Sequence, residues 1–281
     1  MRVLFPMPVF LVPLLLAGGT LSSQTTSYPW LEKYDSSESI ARRIPTPAGF
    51  TRTREAAKSF ESWLRYLPLR KGLPPVLLYD GGKKANQGAH WAVLDVDVGE
   101  KDLQQCADAV IRLRAEYLYS AGSLADIHFD FTSGDRADFT KWAQGYRPVV
   151  EGNKVTWVKS AAADSSYRTF RRYLDTVFAY AGTVSPAREL KPVDDVRRMK
   201  IGDVFIKGGT PGHAVLVVDM AEDAGTGRKV FLLAQSFMPA QDMHVLRNPD
   251  SRTRSPWYGL DFGEALHTPE WTFQRDELKR F

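Results

Sequence analysis

Two rhythms run through the apolar positions of this chain. Leu103, Cys106, Ala107, Val110, Leu113 and Tyr117 recur at three-and-four spacing and predict a helix. Asp102 opens it as N-cap, with Gln105 three residues on, and Ser120-Ala121-Gly122 stops it. Phe170, Tyr173, Leu174, Val177 and Phe178 predict a second helix over 166–180, ended by Gly182. A shorter aromatic and basic helix over 59–67 stops at Pro68. Elsewhere the period is two. Strands are expected over 76–79, before the Asp80-Gly81-Gly82 turn, and over 90–98, 127–131 and 155–158. In the last third, runs over 201–206, 213–219 and 229–236 are separated by a Gly-rich turn and a Gly-containing loop, which predicts an antiparallel meander. Beyond Pro249, a stretch rich in Pro, Trp and Tyr reads as a wrapping tail. The fold class is therefore α+β, a helix packed on an antiparallel sheet.

The first residues carry a different pattern. Arg2 precedes an apolar run over 3–16 that Pro6, Pro8 and Pro13 interrupt, and small residues follow over 17–22. This is the layout of an export signal, and the run falls short of the ~20 apolar residues a spanning helix requires. The expected division is a signal peptide over 1–23, a loose N-terminal arm over 24–48 and a single α+β domain over 49–281. The mature chain is expected to be periplasmic or extracellular, with no transmembrane segment.

Composition narrows the classes further. With 43% hydrophobic and 25% charged residues, and 21 Gly and 17 Pro among 281, the chain is neither disordered nor collagen-like nor a coiled coil. A single Cys excludes a disulfide scaffold and Cys-pair zinc sites. Thirty-seven basic against 33 acidic residues, without a long basic run, gives no reason to expect a nucleic-acid partner. His90, His128, His213 and His244, with Asp95, Asp97, Asp130 and Asp219, lack the spacing of known metal motifs, and no Ser lies in a G-x-S-x-G elbow. No metal or cofactor is expected.

The candidate chemistry lies in the meander and the first helix. A hairpin centred near residue 224 sets His213 opposite Gln235 on one sheet face, where an amide oxygen can accept the imidazole N–H and fix its tautomer. Cys106, the one thiol, lies in the first turns of its helix, where backbone N–H groups favour thiolate. Cys106 as nucleophile, His213 as base and Gln235 as orienting amide would form a cysteine triad. Cys106 also lies on the apolar stripe of its helix, where a lone Cys serves as a small core residue. Gln241 and His244 are expected as a cleft wall.

The stretches 86–90, 102–117, 202–213 and 232–241 resemble an exported bacterial family called domain of unknown function 4846. The order Cys106, Gly202-Asp203, His213 and Gln235 is more distantly similar to papain-like cell-wall hydrolases of the NlpC and CHAP types, although about 95 residues separate Cys106 from Gly202. That resemblance implies a papain-like fold, with Gln105 as oxyanion donor and peptidoglycan as the material acted on. Two functions follow as expectations. One is a periplasmic cysteine hydrolase of amide bonds. The other is a non-catalytic wall- or glycan-binding module on the same fold, with Trp257, Tyr258 and Trp271 lining a groove and Cys106 in the core.

Overall fold

The computed structural model describes residues 27–253 and 255–281. The expected signal peptide lies outside them. Among the described residues, nine strands form one antiparallel sheet. Seven run in the order His90–Val93, His244–Leu246, Lys229–Gln235, His213–Glu222, Val204–Lys207, Leu278–Arg280 and Lys191–Pro192. Thr51–Arg52 pairs with the end of His213–Glu222, and Tyr258–Gly259 pairs with the start of Lys229–Gln235. The predicted meander is the centre of this sheet. Its strands are buried on both faces, which is why they read as near-continuous apolar runs.

The register carries one irregularity that decides which side chains meet. Leu232 faces Asp219, but Leu233 faces Val217, so one extra residue is accommodated in the His213–Glu222 strand. Carried on from Leu232, the first register would set Gln235 across from Leu216, on the face opposite His213. The bulge restores the parity: Ala234 faces Leu216, and Gln235 falls diagonally from His213 on the same face. The carboxylate of Asp219 pins this point. Its two oxygens accept from Arg65 Nε at 2.6 Å and Arg52 Nε at 2.7 Å, and Oδ1 also accepts from the Met220 N–H at 2.9 Å.

The predicted first helix spans Cys106–Ser120, with Gln105 rather than Asp102 as its N-cap. Asp108 accepts from the Gln105 N–H at 3.1 Å, closing the first turn. Asp102 is engaged elsewhere: its Oδ1 accepts from the Ala240 N–H at 2.6 Å and from Gln105 Nε2 at 3.0 Å. The helix packs against the His213 strand through Ala107, Val110 and Leu113, while Ile111, Ala115 and Leu118 enter a second core. That second core is built from 124–181: the hairpins His128–Asp130/Arg136–Asp138 and Tyr146–Glu151/Lys154–Lys159 and the helix Tyr167–Ala181. The long interval between Cys106 and Gly202 is thus a layer that roofs the helix.

Other expectations shift. The 24–48 arm is not loose where it is described: Tyr28, Ile40 and Ile44 are buried, and the Tyr28 hydroxyl donates to Trp63 O at 2.9 Å. The strand expected over 76–79 reduces to isolated bridges from Leu77 to Lys83 and Leu78 to Gln241. The strand expected over 90–98 stops at Val93. The tail does more than wrap, because Leu278–Arg280 enters the sheet between Val204–Lys207 and Lys191–Pro192. Among the described residues, no helix is long and apolar enough to cross a membrane.

Candidate functional site

Cys106 occupies the first position of its helix, and its sulfur lies against the turn before the His213 strand. Sγ approaches Gly212 O at 4.0 Å, and the N–H groups of Ala107, Cys106 and Ala214 face it. Those donors favour thiolate, as expected from the helix start. Burial outweighs them and pushes the thiol up to about 11, so it is un-ionised at neutral pH. Gly212 leaves no room at this point: a Cβ there would stand 2.4 Å from Thr183 Oγ1 and 2.5 Å from Gly209 O.

His213 and Gln235 meet as their shared face requires, with Nε2 and Oε1 2.8 Å apart. Phe205, His213, Val215 and Gln235 share one face of the sheet, against which Trp271 and Phe273 pack; the His213 ring stacks on Phe273 at 5.8 Å and 22°. Ala214, Leu216, Ala234 and Ser236 point the other way, toward the helices: Ser236 Oγ donates to Gln104 O at 3.0 Å, two residues before Cys106. Among the described residues, no hydrogen bond links Cys106 to His213. The His213–Gln235 pair is formed, while the thiol makes its contacts with the backbone of Gly212 and Ala214 on either side of His213. The spacing in the chain fixed the face that His213 shares with Gln235, but not the face that the helix covers.

The aromatic face holds a polar cluster instead. Gln235 Nε2 donates to Glu270 Oε2 at 2.7 Å and lies 3.3 Å from His244 Nε2, while Glu270 Oε1 pairs with buried Lys84 at 2.7 Å. His244 is fully buried, Nδ1 toward Asp242 O at 2.9 Å, and the His90 ring stands 6.2 Å away edge-on. Sequence reasoning missed Lys84 and Glu270. Each contacts residues far off in the chain, so no local spacing could mark them. Among the described residues, no group of three His, Cys, Asp or Glu side chains could hold a metal ion.

The remaining candidates are placed as follows. The Gln105 side chain is tied to Asp102, and Gln241 is buried with Nε2 donating to Pro239 O at 2.9 Å. His244 and Gln241, expected as a cleft wall, are both buried. Trp257 and Tyr258 are likewise in the core, 5% and 2% exposed, with the indole N–H on Pro45 O and the phenol on Arg247 O. Tyr258 faces Phe231, four residues along the strand from Gln235. Of the three rings expected to line a groove, Trp271 is the one that reaches the His213 ring, at 5.4 Å.

Burial makes this cluster responsive to acid. It pushes His213 down to about 4 and His244 down to about 3, against an ordinary 6.5. The unfolded chain takes up these protons first, so their stabilising effect is whole above pH 6.5 and is lost as pH falls toward 4. Each histidine contributes a slope of about 1.4 kcal/mol per pH unit. Asp108 opposes them. Burial raises it to about 7, so the folded state holds its proton first and gains stability as pH falls from 7 toward 4. The net expectation is a loss of about 1.4 kcal/mol per unit between pH 6.5 and 4, measured as a falling urea midpoint. Asp108→Asn should steepen the fall, and a midpoint flat across this range would contradict the assignment.

No curated protein and no solved structure matches the chain. The family described as domain of unknown function (4846) matches residues 40–280, from the buried Ile40 to the sheet strand that ends at Arg280, and the chain belongs to that family.

Proposed function

We propose that the protein is an exported, non-catalytic cell-envelope module on a papain-like scaffold, in which Cys106 is a core residue. The observation that carries this reading is the state of the thiol: Cys106 is 4% exposed, burial pushes it up to about 11, and among the described residues no hydrogen bond links it to His213, which pairs with Gln235. A cysteine hydrolase requires the base within hydrogen-bond reach of the nucleophile. The order of a Cys-bearing helix followed by a meander supports the papain-like scaffold without the chemistry. The signal-like N-terminus supports export, and peptidoglycan is the material such a module would meet.

The test is sedimentation with purified peptidoglycan sacculi, alongside turnover of soluble muropeptides. The module is expected to co-sediment and to release no product, in Cys106→Ser and His213→Ala as in the unaltered chain. Turnover abolished by both substitutions, with folding retained, would restore the amide hydrolase suggested by the 2.8 Å His213–Gln235 pair. Absence of co-sedimentation would end the wall-binding reading.

A further inference from the structure

A cavity of about 250 Å³ opens between the segment leading into the Cys106 helix and the outer face of the Tyr167–Ala181 helix. Arg168, Arg171 and Arg172 recur at three-and-four spacing on that helix and line the cavity, with Lys101 from the facing segment. Two acidic residues, Glu100 and Asp175, also line it, so four cations meet two anions.

Their pairing leaves charge over. Lys101 is bound to Asp175 at 2.8 Å and Arg171 to Asp97 at 3.3 Å. Arg168 feels the carboxylate of Asp164 but, like Arg172, makes no ion pair within 4.0 Å among the described residues, and Nη1 of Arg171 is buried without a hydrogen-bond partner. Burial, and then the neighbouring cation of Arg112, pull Arg171 below the usual guanidinium range, which is the mark of a site that would gain from a negative charge. Leu103, Val98 and Phe178 supply an apolar wall beside these donors. Forked guanidinium donors next to an apolar wall suit an oxyanion carried on a short carbon chain.

We infer that this cavity is a binding site for a carboxylate or phosphate oxyanion, held by Arg168, Arg171 and Arg172. The inference rests on the envelope-binding reading for the origin of the ligand: a free carboxylate of a wall peptide or a phosphate of a wall polymer. The site itself stands apart from the His213 cluster.

The two sources are separated by titrating the full chain with N-acetyl-alanyl-alanine and with inorganic phosphate, following backbone amide shifts. Saturable binding of either, centred on the Arg168–Arg172 turn, is expected. Arg168→Gln with Arg172→Gln should weaken it at least tenfold, about 1.4 kcal/mol or more. Both arginines are exposed, so the pair can be replaced without unfolding the domain. Arg188→Gln, an exposed charge outside the cavity lining, should leave binding unchanged. Tighter binding of the dipeptide identifies a wall peptide, and tighter binding of phosphate identifies a phosphate polymer. No saturation with either up to about 20 mM, or equal weakening by Arg188→Gln, would overturn the site. Loss of sacculus binding with small-anion binding intact would sink the envelope reading alone.

Discussion

Asp219→Ala is expected to lower the stability of the protein by about 3–5 kcal/mol, the largest single-residue effect the structure implies. The carboxylate is fully buried, and its removal leaves the Arg65 guanidinium, itself 8% exposed, without its principal partner. Arg52 would also lose its carboxylate, though it lies nearer solvent at 23% exposed and keeps Ile44 O. The Met220 N–H would lose its acceptor as well. For a domain of this size the loss corresponds to roughly 6–20 °C in melting temperature. Asp219→Asn keeps the shape and part of the hydrogen bonding, so it should cost less than Ala. A change in urea midpoint equivalent to under about 1 kcal/mol for Ala would show that the two arginines are satisfied without it. Because the residue sits at the bulge that aligns His213 with Gln235, the same substitution should also broaden the ring signals of both His213 and His244.

The second large effect is chemical. Alkylation of Cys106 by iodoacetamide at pH 8 is expected to run at least about 100-fold slower in the folded protein than in urea. The thiol at about 11 lies two units above its ordinary 9.0, which alone removes about 99% of the thiolate at that pH. Limited access at 4% exposure adds to this. Rates equal within a few-fold in the two states would mean an open, activated sulfur and would return Cys106 to candidacy as a nucleophile.

These two residues also mark how far the chain could be read from its sequence. The helix after Asp102, the helix over 166–180 and the meander were legible because their periodicity is local. The start of the first helix was not, since Asp102 and Gln105 imitate a capping box while Asp102 in fact accepts from Ala240. That partner is 138 residues away. The shared face of His213 and Gln235 followed from strand alternation, although a bulge invisible in the sequence was needed to secure it. Which face the Cys106 helix covers is a tertiary matter; its apolar stripe spoke for the core, and its position at a helix start spoke for chemistry. Trp257 and Tyr258 read as groove residues because they are large and amphipathic, yet each polar atom finds a backbone carbonyl, which lets the rings be buried.

The enclosure of the Cys106 helix between two cores has a further consequence. A helix with water along one side can breathe there, turn by turn, while the rest of the fold stays intact. This one has core on both sides, and even its Arg112 and Glu116 are bonded to each other out of solvent's reach. Its amides should therefore trade hydrogen for deuterium only when the whole domain opens, and so report global stability directly. The amides of the exposed Gly208 and Thr210, in the turn before His213, should exchange ahead of it, so that ordinary fluctuations pass over the thiol without moving the helix that bears it.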